Sequence, residues 1–201
     1  MIAVIDYGVG NLGSIGNMLK RIGVRALITK DLDIINEADR LILPGVGNFD
    51  AGINGLKDKG LIPLLREKVI DKGTPLLGIC LGMQLLLDRS EEGNEPGLGF
   101  ISGEVIKFPS EKTLKIPHMG WNAVESEKEN ELVKNVPEPM RFYFAHSYYA
   151  VTQSDKDSFL WTEYGIKFAS GICNDNVYGV QFHPEKSHKY GMKLLYNFAV
   201  L

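Results

Sequence analysis

An apolar run, Thr74-Pro75-Leu76-Leu77-Gly78-Ile79, passes straight into Cys80-Leu81-Gly82 and then into Met83–Leu87, a segment with helical spacing. A run this short and apolar fits a strand buried on both faces, and such strands belong to parallel sheets covered by helices. No loop separates strand from helix. Cys80 therefore sits on a sharp turn flanked by Gly78 and Gly82, the cysteine form of a nucleophile elbow. The turn is too crowded for side chains at both flanking positions, and the sulfur has to point out of the sheet edge. The helix that starts there turns its free N–H groups and positive end toward the sulfur, which favours the thiolate. Taken alone, the pentapeptide also fits a buried structural cysteine, the usual fate of a Cys in an apolar run.

The rest of the first half repeats the strand-then-helix alternation. Ile2–Asp6 reads as a short strand, and Leu12, Ile15, Leu19 and Ile22 mark one face of a helix, with Asn11 as N-cap and Gly23 just past its end. Val24–Thr29 and Arg40–Leu43 read as strands. Residues 48–71 read as a helix in two pieces, punctuated by Gly60 and Pro63. Strands separated by helices predict an α/β fold with an open, mostly parallel central sheet. The second half is richer in aromatic and β-branched residues. It predicts added antiparallel strands: a hairpin-like pair over Leu98–Phe108, then Phe142–Val151, Lys167–Cys173 and Val177–Phe182. A last helix follows, with Tyr190, Leu194, Phe198 and Leu201 on its apolar stripe and Lys189, Lys193 and Asn197 on its wet face. Residues 91–97, 125–131 and 153–158 read as solvated loops or surface faces. With no repeat and no linker, residues 1–201 read as a single domain.

A thiol needs a base. Of the four histidines, His118, His146, His183 and His188, the one with the right neighbours is His183, in Gln181-Phe182-His183-Pro184-Glu185. It follows an apolar strand, so it belongs at a strand end. Residues two apart in extended chain project to one side, and Pro184 keeps the segment out of helix. Glu185 can then orient the imidazole, which completes a nucleophile, base and orienter. Acyl transfer also needs donors for an oxyanion. Leu43-Pro44-Gly45-Val46-Gly47 follows the third strand, and in an open parallel sheet the carboxyl ends of strands share one edge. A rival reading comes from Gly8-Val9-Gly10-Asn11-Leu12-Gly13, a G-x-G-x-x-G after a strand with Asp31 at the spacing of a dinucleotide site. That reading leaves Cys80, His183 and Glu185 unexplained.

Composition excludes other classes. The chain carries a net charge of -3 and no basic block, which argues against nucleic acid. No apolar run approaches membrane-spanning length. The N-terminal stretch lacks a basic region before its short apolar run, and the two cysteines, Cys80 and Cys173, make no disulfide framework, so a cytoplasmic location is expected. Cys173 reads as a core residue. No His, Cys or carboxylate spacing suggests a metal, and no cofactor is expected.

The combination of Pro44-Gly45-Val46-Gly47, Gly78-Ile79-Cys80-Leu81-Gly82-Met83-Gln84 and His183-Pro184-Glu185 resembles the class I glutamine amidotransferases, which use a Cys-His-Glu triad on a flavodoxin-like sheet. Asp6–Leu12, Lys115–Asn122 and Tyr143–Tyr148 resemble the members that act as a separate glutaminase subunit in histidine biosynthesis. The resemblance spans nearly the whole chain and implies the following. Cys80 attacks the side-chain amide of glutamine, His183 moves the proton and Glu185 orients it. Val46, Gly47 and Leu81 donate to the oxyanion. Gln84, His146, Ser147 and Tyr148 contact the substrate. His146 and Tyr148 share strand parity and face the pocket, whereas Ser147 contacts it through main chain. A separate (β/α)8 cyclase takes the ammonia, with His118, Trp121 and Lys186 at the contact. Relatives that amidinate surface sugars would look much the same, and that family carries the glycine turn at Gly8–Gly13 without a dinucleotide.

Overall fold

The computed structural model describes residues 1–109 and 114–201. The first half alternates as expected: β1 (Ile2–Ile5), α1 (Leu12–Arg21), β2 (Ala26–Thr29), α2 (Leu32–Glu37), β3 (Arg40–Gly45), α3 (Phe49–Asp58), α4 (Leu61–Arg66), β4 (Leu76–Cys80) and α5 (Leu81–Leu85). A π-helical turn, Glu67–Asp71, extends α4. Helix α2 has no counterpart in the sequence reading because its six residues are too few to show a period. Its start is set by Asp31, whose carboxylate accepts from the N–H groups of Asp33 and Ile34. Asn11 caps α1 by position only, with no side-chain hydrogen bond.

The second half supplies β5 (Arg89–Ser90), β6 (Gly103–Lys107), β7 (His118–Ala123), β8 (Glu125–Ser126), β9 (Arg141–His146), β10 (Tyr148–Thr152), β11 (Ser158–Tyr164), β12 (Ile166–Asn174), β13 (Val177–Val180) and α6 (His188–Val200). The main sheet runs β2-β1-β3-β4-β13-β12-β10-β6-β5, with β11 and β8 attached beyond β12. Its first five strands are parallel, and antiparallel pairing begins between β13 and β12. Strands β7 and β9 form a separate two-stranded antiparallel ribbon. Side chains alternate across the main sheet. Ala3 and Ile5 pack on the face covered by α3 to α5, while Ile2 and Val4 pack on the face covered by α1 and α6. Among the described residues no helix is long and apolar enough to cross a membrane.

Several expectations need correction. Leu98–Phe108 is not a hairpin: β6 pairs with β10 and β5, and Leu98, Phe100 and Ile101 fill the core from an irregular segment. Phe142–Val151 is two strands, because Ser147 breaks it and sends β9 to the ribbon and β10 to the main sheet. Residues 125–131 and 153–158 lie mostly at the surface, as expected, and carry β8 and two short 3-10 turns. Asn197 is buried rather than wet, its amide donating to the carbonyls of Leu132 and Lys134. Those bonds satisfy main-chain groups that α6 would otherwise leave unpaired in its packing surface.

Candidate active site

Three parallel strands end together. Gly45 at the end of β3 lies in register with Cys80 at the end of β4, and Val180 at the end of β13 pairs with Ile79. Cys80 adopts φ 54° and ψ −110°, a conformation that costs an L-residue on the order of 1–3 kcal/mol and persists only where its surroundings enforce it. The flanking glycines are that enforcement. A Cβ on Gly82 would run into the carbonyl oxygen of Leu43, and one on Gly78 would lie 2.6 Å from the carbonyl of Gly82. The elbow is thus clamped between β3 and α5.

His183 follows β13 and is pinned by its own backbone, since its N–H donates to the Tyr143 carbonyl at 2.8 Å. Its Nδ1 lies 2.8 Å from Glu185 Oε1, and both side chains are buried, at 2% and 1% exposure. Nδ1 is thereby committed to the carboxylate, and Nε2 is left for the thiol. Burial alone disfavours the imidazolium. Hydrogen bonding and charge from Cys80 and Glu185 outweigh that burial, and His183 is raised to about 10. A base held this way keeps its proton until an acceptor appears beside it, as the leaving nitrogen of an amide does.

A cavity of about 280 Å³ opens onto this edge. It is bordered by Cys80 and His183, by the expected oxyanion donors Val46, Gly47 and Leu81, and by Gln84, His146, Ser147 and Tyr148. The loop that carries Val46 and Gly47 is steadied from below by Tyr7, whose hydroxyl donates to the Pro44 carbonyl at 2.6 Å. The glycine turn that resembled a dinucleotide fingerprint packs here too. Gly10 has φ +117°, and a Cβ on it would come within 3.3 Å of the Pro44 side chain. Asp31, the expected ribose ligand of the rival reading, is occupied in capping α2.

Two site residues behave differently from expectation. His146 borders the cavity, but both of its ring nitrogens are spent inside the protein. Nδ1 lies 2.7 Å from the Tyr148 carbonyl, and Nε2 lies 2.9 Å from Nδ1 of His118. A carbonyl only accepts, so His146 carries its proton on Nδ1 and accepts at Nε2. His118 must then donate from Nδ1, and its Nε2 accepts from Asn122 at 3.2 Å. Burial pushes His146 down to about 3 and His118 down to about 4, so both rings are neutral. His118, expected at a partner contact, is only 3% exposed and is stacked between Phe144 and Tyr164. Strand parity explains this. Along β7, His118 and Asn122 face inward, while Met119 and Trp121 face out at 64% and 39% exposure. Trp121 stacks on His188 at 5.5 Å, and Lys186 Nζ lies over the Tyr143 ring.

Sequence reasoning missed two residues. Glu92, read as part of a solvated loop, is the only carboxylate bordering the cavity among the described residues. Burial raises its carboxyl, while the Phe49 N–H, donating at 2.9 Å, opposes the rise. Gln181, fully buried, directly follows β13 and directs its amide at Cys80. A polar side chain inside the apolar run Val177–Phe182 was the available signal.

A family model described as glutamine amidotransferase class-I matches residues 3–201. The chain belongs to the class-I glutamine amidotransferase family. This amidotransferase is 56% identical to imidazole glycerol phosphate synthase subunit HisH 2 of Methanococcus maripaludis over 98% of each chain. It is 50% identical to the subunit of the same name from Pseudomonas aeruginosa over the full length of both. Among solved structures, a chain of PurLQS from Thermotoga maritima shares the fold, with a TM-score of 0.73 at 21% identity over 98% of this chain and 96% of the other.

Proposed function

We propose that the chain is the glutaminase subunit of an imidazole glycerol phosphate synthase, a single amidotransferase domain over residues 1–201 that acts in the cytoplasm. The observation that carries the chemistry is the buried 2.8 Å contact of His183 Nδ1 with Glu185, behind a glycine-clamped cysteine. Cys80 attacks the carboxamide carbon of glutamine while Val46, Gly47 and Leu81 offer main-chain N–H groups to the oxyanion. His183 passes a proton to the departing nitrogen, and ammonia leaves. Water, deprotonated by His183, then hydrolyses the glutamyl thioester to glutamate and restores the thiol. Glu92 is the counter-charge for the substrate's α-ammonium group, and Gln84, Ser147 and Tyr148 surround its other end. Full-length relatives that bear the HisH name support the assignment to histidine biosynthesis.

Ammonia goes to a separate (β/α)8 cyclase. The exposed Met119 and Trp121, together with Val46 and Lys186 at the rim of the cavity, support a partner face there. The alternative acceptor is a sugar to be amidinated, since a glutaminase feeding it would carry the same site. The test has two parts. A glutamine-mimicking diazoketone is expected to add its mass to a Cys80 peptide; labelling of Cys173 with Cys80 free would overturn the triad. Burial pushes the Cys173 thiol up to about 11, which makes it a poor competitor. Co-purification of the partner, followed by turnover with each class of acceptor, separates the two pathways.

A further inference from the structure

We propose that Gln181 is a further catalytic residue of this glutaminase site, an amide donor to the Cys80 sulfur whose orientation is enforced by the main-chain carbonyl of Tyr148. The proposal rests on the glutaminase reading above. Gln181 Nε2 lies 3.7 Å from Cys80 Sγ, within range of an N–H···S hydrogen bond. An amide can be turned either way, so its direction has to be established. The Tyr148 carbonyl can only accept, and Gln84 approaches it at 3.2 Å, which fixes the Gln84 amide with its nitrogen inward. The same nitrogen lies 3.0 Å from the Gln181 oxygen. Gln181 therefore presents oxygen to Gln84 and nitrogen to sulfur. The polarity is decided by an atom that no side-chain rotation can reverse.

The other arm of the same hub reinforces it. Tyr148 also accepts from His146, which accepts from His118, which accepts from Asn122. The carbonyl is held in place from both sides. Gln181 and Gln84 are buried, so rotating the amide away would leave polar atoms without partners. A donor fixed in this way favours the thiolate over the thiol, and it costs no reorganisation when the sulfur attacks. Register supplies the physical origin. Val180 pairs with Ile79, so the next residue after β13 falls beside Cys80.

The experiment is the pH dependence of Cys80 alkylation by iodoacetamide, read by peptide mass on the full chain, beside glutamine turnover with the partner. Gln181→Leu removes the donor. Gln181→Glu keeps an acceptor for Gln84 and sets a carboxylate against the sulfur, so it retains the packing. The other ionisable groups around the sulfur are His183 after β13 with Glu185 behind it, Tyr7 after β1, and Glu92, His146, Tyr148 and Lys186 at the cavity, and neither substitution replaces any of them. Alkylation is expected to move to higher pH in both variants, by ~1 unit for Leu and more for Glu. Turnover should fall ~10-fold or more through kcat, with KM little changed. An alkylation profile identical to wild type in a folded variant, with only thermal stability lowered, would show a structural amide and overturn the proposal. If Leu does not fold, the Glu variant decides. Absence of glutamine turnover in the wild-type complex would defeat the glutaminase reading instead, a separate result from the alkylation profile.

Discussion

At the carboxyl edge of the parallel strands, a buried histidine is held charged. In the adjoining ribbon, two buried histidines are held neutral. His183 is raised to about 10, while His146 and His118 are lowered to about 3 and 4. All three are shielded from solvent, so burial does not distinguish them. The difference lies in what each nitrogen meets. His183 has the Glu185 carboxylate on one side and the Cys80 sulfur on the other. His146 and His118 meet a carbonyl, an amide and each other. One chain holds the same side chain charged beside a sulfur in one place and as a neutral, fixed directional connector in the other.

The largest effect should come from attacking the charged side. Glu185→Gln keeps shape and removes the counter-charge, so His183 titrates lower and loses its fixed tautomer. We expect kcat to fall ~1,000-fold or more, measured as glutamine turnover with the partner present. Retained activity would mean that the contrast between the two regions has no catalytic content.

The neutral side should fail differently. His118→Phe preserves the stack with Phe144 and Tyr164 but leaves the Nε2 of His146 without its donor. The expected loss is about 1–3 kcal/mol in urea unfolding, with a fall in turnover far smaller than that of Glu185→Gln. A loss of turnover as large as that of Glu185→Gln would erase the distinction.

Changing pH probes both sides in one experiment. His118 and His146 have depressed values when folded, so their contribution is full above about 6.5 and declines as pH falls toward 4 and 3. His183 has a raised value, so its contribution is full below about 6.5 and declines as pH climbs toward 10. Unfolding free energy measured from about pH 4.5 to about pH 9.5 should therefore peak near neutrality. The His118→Phe variant should flatten the acid limb and leave the alkaline limb unchanged.

The smallest effect concerns the glycine turn. A Cβ on Gly13 meets nothing within 4 Å, and Gly13 lies inside α1. Gly13→Ala should raise stability by about 0.5–1 kcal/mol and leave turnover alone. Titration of either form with NAD should give no saturable binding.

Much of the edge that gathers Cys80, His183 and Glu185 was legible because its constraints are local. A glycine on each side of Cys80 and a proline after His183 are backbone requirements written within a few residues. The first half of the fold was legible for a similar reason, since its strands are short unbroken apolar runs and its longer helices carry their own period. What stayed hidden depends on distant contacts. Nothing near Ser147 marks the break between β9 and β10, because pairing with β7 on one side and β6 on the other causes it. Glu92 looks like surface charge until α3 brings the Phe49 N–H to it. Asn197 looks wet until the carbonyls of Leu132 and Lys134 arrive. His118 and Trp121 alternate along one strand, and only the ribbon's placement decides which of them faces inward.

The β7–β9 ribbon is stitched to the His183 segment by main chain as well as by packing. Tyr143 on β9 takes the His183 N–H on its carbonyl and donates its own N–H to the Ser187 hydroxyl oxygen, while that hydroxyl donates to the His183 carbonyl at 2.6 Å. His183 thus hangs between two sheets: it follows β13 of the parallel sheet that carries Cys80, and its backbone is held by the ribbon. Mechanically, the ribbon is a stiff two-sided lever. A load on its outer face at Met119 and Trp121 bears on the backbone that aims His183, so the spacing between base and thiol depends on the relative set of two independently paired sheets.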